Sequence, residues 1–126
     1  MQVFKTRWFA RFARQENIAD DGLREAIERA ERGLVDADLG GGLIKQRVAR
    51  QGQGRSSGYR VIVAYRAKDR AVFLFGFAKN ELDNIGSGEL LSLRSNGSYW
   101  LNVAPATIQK ALKDRALEEI EDGEEE

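Results

Sequence analysis

Apolar residues recur at two spacings along the chain, and the change between them divides it into a helical start and a sheet-like middle. After a short strand-like run, "QVFK" at 2–5, Trp8, Phe9, Phe12 and Ala13 fall on one side of a helix that Thr6 is placed to cap. A second helix follows in "DDGLREAIERAERG", with Asp20 or Asp21 at its N-cap, Leu23, Ala26, Ile27 and Ala30 on one face, and Gly33 at its C-terminal end. Its other face, with Glu25, Glu28, Arg29, Glu31 and Arg32, reads as solvated charge. Beyond the turn-like "DADLGGG" the period drops to two. "LIKQRVA" and "YRVIVAYR" alternate, and "AVFLFGFAK" is apolar on both faces, as a central strand covered on each side must be. The connections between these runs are too short for crossover helices, so they form an antiparallel meander.

The C-terminal third carries weaker patterns. Leu90, Leu91 and Leu93 suit a short helix that Asn96-Gly97 would break early. Pro105 opens a further helix with Ala106, Ile108, Ala111 and Leu112 on its apolar face, and a last short strand is expected near 116–120. The expected fold is α+β: two N-terminal helices packed on a small antiparallel β-sheet, with a C-terminal helix and a final short strand. One domain is expected over 1–120, followed by an acidic tail at 121–126.

Composition removes much of the usual chemistry. The chain of 126 residues has no Cys and no His, so thiolate metal sites, disulfides and histidine acid–base catalysis are all excluded. No metal and no cofactor are expected. No stretch approaches the roughly 18 apolar residues of a membrane span, and a cytoplasmic protein with no membrane partner is the expectation. Net charge is zero, but it is unevenly distributed. Residues 1–85 hold 16 Lys/Arg against 11 Asp/Glu, whereas 86–126 hold 4 against 9. Between 43 and 80, nine basic residues face the single Asp69. Such a local excess attracts polyanions, although a solvated basic face on a half-exposed sheet fits the same count.

Strand alternation sharpens this. Residues two apart point the same way, so Lys45 and Arg47 project together, and Arg60 lies near the start of the neighbouring strand. Arg60, Ile62, Ala64 and Arg66 share one face of that strand, and Tyr59, Val61, Val63 and Tyr65 the other. The glycine-rich "RQGQGRSSG" adds Arg50 and Arg55 on a backbone free to approach phosphates closely. Neither this loop nor "GGGLIKQR" has the spacing of a nucleotide-triphosphate loop or a dinucleotide fingerprint. Ser56 and Ser57 have no histidine to activate them.

The ordered set "LGGGLIKQRVARQGQGRSSGYRVIVAYRAKDRAVFLFGFAKNELDNI" resembles the RelE/ParE superfamily of bacterial toxins, especially its HigB-like and RelE-like members. The likeness covers about residues 3–90. It implies the toxin of a type II toxin–antitoxin system, an endoribonuclease that cuts messenger RNA, often on the ribosome, and is restrained by a cognate antitoxin expected to be a helix-turn-helix protein. Such cleavage uses the RNA's own 2′-hydroxyl as nucleophile, so a Lys/Arg cluster can supply the proton transfer and the charge stabilisation. Lys45 and Arg47 match the family's paired basic strand positions, and Arg60 matches the arginine of Gly-Tyr-Arg. On this resemblance Lys45 is the leading base candidate, and Arg47 and Arg60 are phosphate and transition-state clamps. Lys79 and Glu81 are secondary catalytic candidates, for phosphate contact and for orienting a cation or a proton transfer. Arg50 and Arg55 are expected to hold RNA backbone, and Tyr59 either stacks on a base or fills the packed face of the sheet.

Three positions depart from the family pattern. RelE-like members often have arginine where Asn80 stands and a catalytic tyrosine where Gly86 stands, and the most similar subgroup usually has arginine at the position of Leu82. Two other functions therefore stay open on the same scaffold: a ParE-like gyrase poison, and a non-catalytic nucleic-acid-binding relative.

Overall fold

The computed structural model describes residues 1–49, 58–78 and 86–121. Among these residues, six strands form one mixed sheet in the order β2-β3-β4-β5-β1-β6, and four helices cover its two faces. The expected meander is its centre: β3 (Leu43–Val48), β4 (Tyr59–Arg66) and β5 (Arg70–Ala78) pair antiparallel in sequence order. The sheet as a whole is not antiparallel, because β1 (Gln2–Thr6) lies parallel to β5, with Lys5 opposite Phe73. Val3 and Phe4 of β1 are buried in opposite cores, so this strand needs cover on both faces and a neighbour at both edges. Antiparallel β6 (Leu117–Glu119) supplies the second neighbour.

One face packs against α1 (Arg7–Glu16) and α2 (Asp20–Glu31), through Phe9, Ala13, Leu23, Ala26 and Ile27 against Val61, Val63 and Phe73. Thr6 caps α1, its hydroxyl oxygen accepting from Phe9 N at 3.2 Å. The N-cap of α2 is Ala19, and Asp20 and Asp21 sit in the first turn, where their charge still favours the helix N-terminus. Gly76 leaves room for α1: a Cβ there would lie 2.5 Å from Phe12 Cε2. The other face packs against α3 (Ser87–Asn102) and α4 (Pro105–Lys113), through Leu101, Ile108 and Ala111 against Phe4, Leu43, Ile62 and Ala64.

Three further expectations require correction. Asn96-Gly97 does not end the helix begun at Leu90. α3 runs through it, because Gly97 is where helix and sheet touch: a Cβ would meet Leu43 Cδ2 at 2.9 Å and Ala64 Cβ at 3.1 Å. "DADLGGG" contains a strand as well as a turn, β2 (Ala37–Gly40), paired antiparallel with β3. Arg29, placed by pattern on the solvated face of α2, is buried. Its guanidinium is held by Glu25, by Asp36 and by the Arg47 carbonyl oxygen, which makes burial of the charge tolerable.

Candidate active site

The β3–β4 register decides where the basic side chains go. Arg47 pairs directly with Arg60, and Lys45 with Ile62. Directly opposed residues place their Cβ atoms about 5 Å apart, and diagonal neighbours about 7 Å, so Arg60 is within side-chain reach of both Arg47 and Lys45. Leu43 and Ile62, on the same face, are covered by the α3 side of the molecule. The three cations thus lie at the end of that face, on strands whose other residues are fixed in the core.

Their surroundings differ. Lys45 is half-buried and makes no hydrogen bond or ion pair among the described residues. Arg60 is also half-buried, and its Nη1 is buried without a hydrogen-bond partner among those residues. A guanidinium nitrogen taken out of water and left unpaired is costly in a structural role, and available to an anion that reaches it. Arg47 is 43% exposed and donates from Nη2 to Asp36 Oδ1 at 3.1 Å. Burial raises the pKa of Asp36, but the hydrogen bonds from the Arg47 side chain and backbone and the charges of Arg47 and Arg29 outweigh it, so the carboxyl is held below its ordinary value.

Supporting residues behind this site did not stand out by motif. Gln46 is fully buried between Ile44 and Val48, with its Nε2 donating to Ala26 O at 2.9 Å and Leu34 O at 3.2 Å, and its Oε1 accepting from Asp36 N at 2.7 Å. That amide ties β3 to α2 and to the segment before β2. A polar residue at a core-facing position of an alternating strand was the signal for it in the sequence. Asp36 had no comparable signal, because only the fold brings it beside Arg47.

Tyr59 is 3% exposed, packs edge-on to Phe12 and donates its hydroxyl to Glu16 Oε1 at 2.9 Å. It fills the packed face of the sheet, the second of the two readings of this position, and its ring has no exposed face on which a base could stack. Arg50, Arg55, Lys79 and Glu81, like Asn80 and Leu82, lie outside the described residues. Gly86, where the family pattern often has a catalytic tyrosine, is the N-cap of α3 with φ −68° and ψ 158°, a conformation open to any residue. Glycine here is therefore no backbone requirement.

Among the described residues no group of three or more Asp or Glu side chains is arranged to hold a metal ion, and no helix is long and apolar enough to cross a membrane. What the cluster can do is bind an anion at two or three points and stabilise added negative charge on it.

No curated protein matches the chain. The model of a family described as the RelE toxin of the RelE/RelB toxin–antitoxin system matches residues 1–120, and on that match the chain belongs to this family of toxins, a membership that implies an antitoxin partner.

Proposed function

We propose that this toxin is a metal-independent endoribonuclease that cuts messenger RNA on the ribosome. The observation that carries the reading is the β3–β4 register, which sets Lys45, Arg47 and Arg60 on one face, with Lys45 and the Arg60 Nη1 unpartnered among the described residues. In the proposed reaction the 2′-oxygen attacks the adjacent phosphorus, the bond from phosphorus to the 5′-oxygen breaks as that oxygen takes a proton from water, and the products carry a 2′,3′-cyclic phosphate and a 5′-hydroxyl. Lys45 Nζ takes the 2′-hydroxyl proton. Arg60 Nη1 donates to a non-bridging oxygen whose charge grows in the transition state, where such a contact is worth more than in the ground state. Arg47 holds a neighbouring phosphate, and Lys79 and Glu81, which follow β5 in the sequence, serve phosphate contact and orientation of the proton transfer. Arg50 and Arg55 hold RNA backbone.

The antitoxin, a helix-turn-helix protein in this reading, silences the toxin by placing acidic side chains on the same cations. The test is cleavage of a translated message by the purified toxin with and without ribosomes, with the ends analysed chemically. Cyclic-phosphate ends that persist in a metal chelator are expected, and Lys45→Ala is expected to lower the rate by about 100-fold. Intact RNA together with gyrase-linked DNA breaks in cells expressing the toxin would replace this reading with that of a gyrase poison.

A further inference from the structure

Of the three clustered cations, Arg47 already faces an anion, and that anion is fixed in place. Asp36 Oδ2 accepts from the backbone N of Arg47 at 2.7 Å while its Oδ1 accepts from the Arg47 side chain at 3.1 Å. Buried Arg29 lies 3.5 Å from the same carboxylate, and the Asp36 backbone is tied to fully buried Gln46. The carboxylate therefore cannot follow Arg47, whereas the exposed Arg47 side chain can leave it. The direction of the pair matters too. Asp36 precedes β2, on one side of β3, whereas Arg60 is on β4, on the other side. The ion pair draws the Arg47 guanidinium away from Arg60, into a cleft of about 420 Å³ lined in part by Glu25, Arg29, Arg32 and Asp36.

We infer that Asp36 is a resident counter-anion that parks Arg47 away from Arg60, and that an RNA phosphate must displace it for Arg47 to join the site. The inference rests on the RNA-cutting reading above. Its consequence is selectivity among anions. A carboxylate on the same rigid scaffold competes at high effective concentration, so a lone phosphate ion does not dislodge it. A phosphodiester chain can, because contacts to Lys45 and Arg60 made at the same time offset the loss of the Asp36 pair. Asp36 thus acts as a positioning residue that reserves Arg47 for an extended polyanion.

The experiment measures binding of a single-stranded 2′-O-methyl oligoribonucleotide, which lacks the attacking hydroxyl, to full-length toxin across a salt series. Asp36→Asn keeps an acceptor for the Arg47 backbone and removes the charge. It is expected to tighten binding several-fold and to steepen the slope of log affinity against log salt by about 0.7, the value of one added phosphate contact on a single strand. In an Arg47→Gln background the gain should vanish. An equal gain in that background means simple charge removal, and weaker binding by Asp36→Asn means that the paired orientation is the productive one; either overturns the inference. A second readout needs no variant at Asp36: the Arg47 Nη2–H resonance should be protected from exchange in the free wild-type protein and shift when the oligonucleotide is added. An unprotected resonance overturns the pair itself. A protected resonance in a protein that ignores the oligonucleotide overturns the displacement through failure of the RNA reading, and so tells the two failures apart.

Discussion

Strand β4 carries an arginine at each end of one face, and the two ends have opposite fates. At the hairpin end, Arg66 Nη1 donates to Leu101 O at 2.9 Å and its Nη2 to Asn102 Oδ1 at 2.9 Å, while Arg70 of β5, paired opposite it, donates from Nη1 to Trp100 O at 2.9 Å and Val103 O at 3.2 Å. Apart from the Asn102 side-chain oxygen, these are backbone carbonyls at the C-terminus of α3, which lack partners within the helix and carry its negative partial charge, so two arginines there serve the fold. At the other end, the Arg60 side chain makes no hydrogen bond among the described residues and its Nη1 is buried without a partner, whereas Arg70, which also leaves its buried Nε unpaired, is anchored twice through Nη1. The same residue type is structural where a helix ends over it and free for an outside anion where none does. Charge counts cannot see that difference.

The comparison can be broken most sharply from the structural end. Arg70 is 7% exposed, and Arg70→Ala strands two carbonyl oxygens, so a loss of about 3 kcal/mol is expected in denaturant unfolding, with the cleavage rate per folded molecule unchanged. A stable Arg70→Ala protein with lost activity would reverse the assignment. The next effect is the converse. Lys45→Ala should lose about 100-fold in cleavage while its stability stays within about 0.5 kcal/mol of the parent, since no described hydrogen bond is removed. Arg60→Ala should act in the same direction and to a similar extent, about 100-fold in rate, and a large drop in melting temperature would place Arg60 with Arg70 as a structural arginine.

The smallest expected effect concerns Asp36. Its carboxyl is depressed in the folded protein below the ordinary 3.8, so its contribution to stability is fully present above that value and disappears as pH falls through the lower folded value. Acid unfolding curves of the parent should therefore fall more steeply below about pH 4 than those of Asp36→Asn, and parallel curves would remove the ion pair from the stability of the site.

Much of the architecture was legible in residue order. The 3.6-residue spacing of Phe9, Phe12, Leu23, Ala26 and Ile27, and the alternation through β3 and β4, are local consequences of which faces must leave water. Gly97 was misleading for a physical reason. Read locally, Asn-Gly is a helix breaker, but its cost of about 1 kcal/mol in a helix is offset when the absent side chain lets α3 lie against Leu43 and Ala64. Arg29 misled in the same way, since charge on an amphipathic helix looks solvated until Glu25, Asp36 and the Arg47 carbonyl surround it.

The residue order alone determined the helix–strand order apart from β2 and the extent of α3, the meander, and the placing of Lys45 and Arg47 on one side of a strand, because each depends only on spacing along the backbone. Tertiary structure decided the rest: that β1 lies beside β5, that Arg47 is opposite Arg60, that Asp36 reaches Arg47, and that α3 ends over Arg66 and Arg70. These depend on contacts between segments far apart in the chain, and whether a cation is used or left available is settled only by which distant carbonyl or carboxylate arrives beside it.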